Sequence, residues 1–152
     1  MRNKIIEKKL QKALESGNNI WVIGDVHGFN ETLRSLVKKL DLQTNDYVVL
    51  LGDLIDRGPN SYDVVQYVKS VKNIVSLKGN HEEMMSKSLT LEGLELPDID
   101  LATWLYGGGL ATVTSYINAH TDENGGEFTS QLDEIIEYDT RWMNQLPSHI
   151  IL

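Results

Sequence analysis

Three short, largely apolar runs at Ile20–Ile23, 47–51 and 74–77 are each followed by a loop that opens on Gly-Asp or Gly-Asn, and this recurrence constrains the fold more than any other feature. Between them lie segments 31–40 and 62–71, whose apolar positions fall three and four apart, so the order reads strand, loop, helix, twice over. Such alternation predicts an α/β fold with a parallel βαβαβ sheet and right-handed crossovers. A strand with its crossover helix takes roughly thirty residues, and Asp25, Asp53 and Asn80 are separated by nearly that period. Each therefore falls just beyond the carboxyl end of a strand, the edge where open parallel sheets collect ligands.

Around this core, residues 4–15 carry Ile5, Ile6, Leu10, Ala13 and Leu14 at helical spacing and end before Gly17, which predicts a leading amphipathic helix. After Glu82 the pattern turns mostly helical. A helix runs through Met84, Met85 and Leu89, Pro97-Asp98 breaks it, and a further helix spans 101–105. Gly107, Gly108 and Gly109 punctuate, a helix covers 110–117, a polar loop covers 120–126, and a helix covers 130–146. Residues 150–152 read as the start of a strand. The expectation is one domain over 1–152, with its motifs in 19–90 and a helical segment in 91–148.

Composition narrows the chemistry. With no cysteine among 152 residues, disulfides, thiolate metal sites and cysteine nucleophiles are excluded. A net charge of −8 argues against nucleic acid as a partner, since no broad cationic surface is available to neutralise phosphates. The amino-terminal residues are charged throughout and offer no apolar run of signal-peptide or membrane-span length, so the expectation is a cytoplasmic protein without membrane association.

Chemistry concentrates in the three loops. In Gly24-Asp25-Val26-His27-Gly28, alternate side chains of an extended segment point the same way, so Asp25 and His27 can reach one metal ion, and a carboxylate with an imidazole suits a first-row divalent metal. Gly52-Asp53-Leu54-Ile55-Asp56-Arg57-Gly58 adds a carboxylate able to bridge two metals and a guanidinium whose planar fork matches phosphate oxygens. Gly79-Asn80-His81-Glu82 pairs a neutral oxygen ligand with an imidazole able to act as general acid. Each motif alone has an ordinary reading: a turn with a surface Asp, an Asp56 to Arg57 surface pair, or Asn80 as a helix N-cap. Their conjunction, in order and after successive strands, makes coincidence a poor explanation.

GDVHG, GDLIDRG and GNHE resemble the three signatures of the phosphoprotein phosphatase (calcineurin-like metallophosphoesterase) family, over roughly residues 19–116. The resemblance implies the first half of a metallophosphoesterase β-sandwich and two divalent metal ions, manganese foremost, with iron or zinc as alternatives. It assigns Asp25 and His27 to the first metal, Asp53 to both and Asn80 to the second. A bridging hydroxide would attack phosphorus, Arg57 would orient the phosphate, and His81, paired with Asp56, would protonate the departing alkoxide.

The family's further metal-binding histidines and second phosphate-binding arginine are not found downstream. His120 and His149 lack ligand spacing and read as structural or exposed, and Arg141 as a solvated helix residue. The expectation is thus an amino-terminal portion of a longer phosphatase. Lys78 stands where the family often has arginine; it keeps the charge but lacks the bidentate fork of a guanidinium. Glu82 and the Trp- and Gly-rich stretch WLYGGGLATVTSY resemble the bacterial and phage lambda-type serine/threonine protein phosphatases, which implies a phosphoprotein or phosphopeptide substrate. The alternatives are a symmetrical diadenosine tetraphosphate hydrolase or a catalytically incomplete metal-binding fragment.

Overall fold

A computed structural model of the chain describes residues 2–89, 98–121 and 132–152. Helix α1 (Lys4–Glu15) starts where the Asn3 side chain accepts the N–H groups of Ile5 and Ile6, two of the donors a helix start leaves free. It buries Leu10 and Ala13 and stops at Ser16, before Gly17 at φ 78°. Strands β1 (Ile20–Ile23), β2 (Tyr47–Leu50) and β3 (Ile74–Ser76) follow, with α2 (Asn30–Lys39) and α3 (Ser61–Ser70) as crossovers. The sheet order is β1-β2-β3, and both pairings are parallel, with Ile23 opposite Leu50 and Leu50 opposite Ser76. All three strands therefore end at one edge, and the three motif loops leave from it.

The core forms where the central strand meets the crossover helices. Val48 and Leu50 of β2, Val64 and Val65 of α3, and Leu54 and Ile55 of the second loop are fully shielded from solvent, joined by Leu33 and Val37 of α2. Each such side chain contributes about 1.5–3 kcal/mol on burial, which sets the second loop firmly into the core rather than over it.

The rest of the described chain is helical: α4 (Asn80–Ser88), α5 (Asp98–Trp104), α6 (Leu110–His120) and α7 (Leu132–Asn144). Helix α4 packs on α5 and α7, and α3 packs on α6. Asp139 of α7, buried, ties three helices together: it accepts from Lys69 at 2.5 Å, Gln66 at 2.7 Å and Tyr116 Oη at 3.0 Å. Burial, and then the Asp139 charge, push the Tyr116 phenol well above its ordinary value.

The punctuation expected at Gly107 to Gly109 is present as a kink: within Leu105–Gly109, between α5 and α6, the backbone leaves helical geometry at Gly108, φ 123°. Two local expectations change. His120 closes α6 instead of opening a loop, because its Nδ1 bonds the Tyr116 carbonyl at 2.8 Å and its ring packs edge-on to Tyr62. Residues 150–152 form no strand, since the Ile151 N–H is taken by the Glu7 carboxylate at 3.0 Å and the nearby backbone pairing is one isolated bridge, Arg2 to His149. The Pro97 break and most of the polar loop at 120–126 fall outside the described residues.

Candidate active site

Backbone hydrogen bonds stitch the first two motif loops together. The Asp53 carbonyl accepts the N–H groups of Val26 and His27, the Leu54 carbonyl accepts that of Gly28, and the His27 carbonyl accepts that of Gly58. The third loop meets the second at glycines: a Cβ on Gly52 would lie 2.4 Å from the Gly79 nitrogen. Such an approach is open only to a residue without a side chain.

This stitching bends the chain into unusual conformations. Among the described residues, five non-glycine positions have positive φ, and four of them are motif residues: His27 (48°), Asp53 (49°), Asp56 (73°) and Arg57 (67°). Left-handed backbone disfavours L side chains, and its concentration in two loops marks a place where the surroundings override local preference.

Among the described residues, His27, Asp53 and His81 form one group whose ligand atoms all lie within 4.8 Å of one another. The two imidazoles meet edge to face, with centroids 4.8 Å apart. Hydrogen bonding settles their tautomers. His27 Nδ1 faces the Ile55 carbonyl at 2.9 Å, and His81 Nδ1 faces Asp56 Oδ2 at 2.7 Å. A carbonyl and a carboxylate only accept, so both Nδ1 atoms carry hydrogen and both Nε2 atoms keep a lone pair turned into the site. The Arg57 guanidinium donates to those lone pairs, at 3.0 Å to His27 and 3.1 Å to His81.

Asp25 is exposed and approaches the group from one side, with Oδ2 3.7 Å from His27 Nε2. It does not join the mutual cluster. Asn80 opens α4 with an exposed side chain, and it does not act as the N-cap, which is Gly79. Capping comes from elsewhere: Asp53 Oδ1 accepts the His81 N–H at 3.0 Å across the loops. Asp56 and Arg57 are not a surface pair, for Asp56 is fully buried against His81 while Arg57 is exposed over the imidazoles.

Two groups of residues gained no role from sequence. Glu82, fully buried, accepts the N–H groups of Gly79 (2.7 Å), Asp53 (2.9 Å) and Leu54 (2.7 Å). Burial raises its carboxyl above the usual range, against the lowering effect of those three donors. Its position at the third residue of α4, where a Glu reaches back to the cap N–H, was the available signal. Trp104 and Thr112 donate to Asp56, and although they lie in the Trp- and Gly-rich stretch that carries the resemblance, nothing local in it assigns either side chain to that carboxylate. His149 is exposed at the far end of the chain, Arg141 pairs with Glu137 one turn away along α7, and Lys78 Nζ lies 4.0 Å from Glu83.

The parallel sheet, the three loops at its carboxyl edge and the clustered ligand atoms define an α/β protein of the metallophosphoesterase class. The model of the calcineurin-like phosphoesterase family matches residues 19–151, and the chain belongs to that family. Serine/threonine-protein phosphatase 2 of Escherichia coli (strain K12) is 39% identical over 92 residues, covering 60% of this chain and 38% of its own length. Symmetrical bis(5'-nucleosyl)-tetraphosphatases of Coxiella burnetii and Salmonella paratyphi A are 32% and 38% identical, covering 54% and 56% of this chain. The crystal structure of a proposed diadenosine tetraphosphatase aligns with a TM-score of 0.43 at 26% identity, over 57% of this chain and 41% of its own. This chain spans only 28% to 38% of the length of those curated relatives.

The family holds divalent metal ions, and the donor set here fits them. The His27 imidazole, fixed by its Nδ1 bond to the Ile55 carbonyl, and the Asp53 carboxylate beside it combine a nitrogen and an oxygen ligand of the kind first-row divalent metals take, and Asp25 Oδ2 lies 3.7 Å from His27 Nε2. Among the described residues, no helix is long and apolar enough to cross a membrane.

Proposed function

We propose that this chain carries the metal-binding and proton-donating part of a phosphomonoesterase that acts on phosphoserine or phosphothreonine in proteins. The observation that carries the reading is the meeting of His27, Asp53, His81 and Arg57, from three separate loops, at one edge of the sheet. Asp25, His27, Asp53 and Asn80 would hold two metal ions, which, when bound, supply positive charge that polarises phosphoryl oxygens and acidifies water.

Arg57 binds the phosphate, and its geometry suits the task. A guanidinium only donates, so its contact with His81 Nε2 requires that atom to be unprotonated. When Nε2 carries the proton destined for the leaving alkoxide, Arg57 has to turn away, and a phosphate oxygen is the acceptor that would take it. Asp56 holds His81 by Nδ1 at 2.7 Å and so keeps Nε2 turned toward the site.

The preference for a phosphoprotein rests on Glu82, on the segment from Trp104 to Tyr116, and on similarity to the Escherichia coli phosphatase. A second reading, hydrolysis of dinucleotide tetraphosphates, has equal support from the Coxiella and Salmonella relatives and would use the same residues. Side-by-side turnover of a phosphoserine peptide and diadenosine tetraphosphate with saturating manganese separates them. The proposal expects faster release of phosphate from the peptide. Faster cleavage of the dinucleotide selects the second reading, and no turnover of either with manganese bound ends both.

A further inference from the structure

We infer that Trp104 and Thr112, which lie outside the three motifs, are positioning residues of the proton donor: they hold the Asp56 carboxylate in the plane that aligns His81. This deepens the proposed function, because it rests on His81 as the acid.

The Asp56 carboxylate is fully buried and receives three donors. Oδ2 takes His81 Nδ1 at 2.7 Å, Oδ1 takes Thr112 Oγ1 at 2.7 Å, and the indole Nε1 of Trp104 reaches both oxygens, at 3.2 Å to Oδ1 and 3.0 Å to Oδ2. An aspartate's terminal torsion is broad, so nothing in Asp56 itself selects the plane of its oxygens. With the indole N–H between the oxygens and the hydroxyl on Oδ1, only one plane satisfies all three donors, and in that plane Oδ2 faces His81.

The two donors are themselves fixed. Because the carboxylate only accepts, the single Thr112 hydroxyl hydrogen is committed to Asp56. Its oxygen then accepts the Asp56 N–H at 2.8 Å and stands 3.0 Å from Ser61 Oγ. The Trp104 ring lies flat against Gly109, where a Cβ would come within 2.5 Å of Cε2. Between them, the Gly108 carbonyl accepts the Arg57 N–H at 3.1 Å, and a Cβ on Gly108 would lie 2.8 Å from Arg57 Cγ. The stretch from Trp104 to Thr112 is thus seated directly on the two residues that would orient the acid and the phosphate.

The test uses Thr112→Val, which removes its donor with little change of shape, Trp104→Phe, which removes the indole N–H together with part of the buried ring, and Thr112→Ser, which keeps the hydroxyl. Proton NMR reads the His81 Nδ1–H directly, whatever the activity. The proposal expects that resonance to move upfield and exchange faster with water in Thr112→Val and Trp104→Phe, and to return in Thr112→Ser. On a manganese-loaded sample, Thr112→Val should lower kcat for an alkyl phosphoester about tenfold, as loss of one hydrogen bond to a charged group implies. KM and manganese affinity should be unchanged, the loss should be much smaller for p-nitrophenyl phosphate, and it should vanish in a His81→Asn background. An unmoved Nδ1–H resonance, equal losses for both leaving groups, or full additivity with His81→Asn would overturn the inference. If wild-type protein with manganese bound turns over neither ester, the acid reading fails, and the resonance still decides whether Trp104 and Thr112 position His81.

Discussion

Glu82 accepts the backbone N–H of Asp53 at 2.9 Å and, with the same oxygen, that of Gly79 at 2.7 Å, so one buried carboxylate binds the second motif to the third. Its other oxygen takes the buried N–H of Leu54 at 2.7 Å. Glu82→Gln keeps the shape but turns an amide donor toward one of these N–H groups. It should destabilise the protein by about 1–3 kcal/mol, and Glu82→Ala by more, because buried donors then lack partners. Chemical denaturation measures the loss, and unchanged stability of the Gln variant would show that the three bonds contribute nothing net.

Asp53 and His81 differ in what their loss should do. Asp53→Asn should weaken manganese binding together with turnover. His81→Asn should leave manganese bound while slowing turnover of alkyl phosphoesters by about 10²-fold or more, the usual contribution of a general acid. Calorimetric metal titration of both variants checks the split, and loss of metal from His81→Asn would make His81 a ligand instead.

Glycines of the first and third motifs should behave oppositely. A Cβ on Gly79 would lie 2.1 Å from Asp53 Oδ1 and 2.3 Å from the Asp53 nitrogen, whereas a Cβ on Gly24 meets nothing within 4 Å. Gly79→Ala should therefore cost about 1–3 kcal/mol of stability as the loops are forced apart. Gly24→Ala should stay within about 0.5 kcal/mol of wild type. Comparable losses from the two, read by thermal or chemical unfolding, would contradict the packing of the loops.

Acid should act through Glu7. The Arg2 hydrogen bond, and less strongly the Ile151 N–H, hold its carboxyl below the ordinary value against the opposing effect of burial. A lowered folded pKa means that stability is present above the unfolded value, about 4.3, and is lost as pH falls through the folded one. Wild-type protein should melt higher than Glu7→Gln at neutral pH, and the gap should close on acidification through that window. A gap independent of pH would show that the pairing does not depend on the ionised carboxyl.

Much of the architecture was legible locally. The apolar runs, the three-and-four spacing of Leu33 and Val37 in α2 or Val64, Val65 and Val68 in α3, and the Gly-Asp loops at a βαβ interval mark the strands, crossovers and carboxyl edge where the motifs sit. Side-chain period is a property of neighbouring residues, so it can be read without knowing the partners. Helix ends were less legible: His120 read as the start of a loop but closes α6, because its Nδ1 bonds the Tyr116 carbonyl and its ring packs against Tyr62.

Residue types in the three loops, and with them the kind of chemistry available, were determined by sequence alone. Tertiary structure decided which atoms face one another. The tautomers of His27 and His81 depend on Ile55 and Asp56, 28 and 25 residues away. The plane of Asp56 depends on Thr112, 56 residues along the chain, and the joining of the loops depends on Glu82 reaching back to Asp53 and Leu54. A hydrogen bond needs donor and acceptor within a few tenths of an ångström and correctly aimed. Such placement arises only when separate segments pack on a common core, and so it leaves no periodic trace in the sequence.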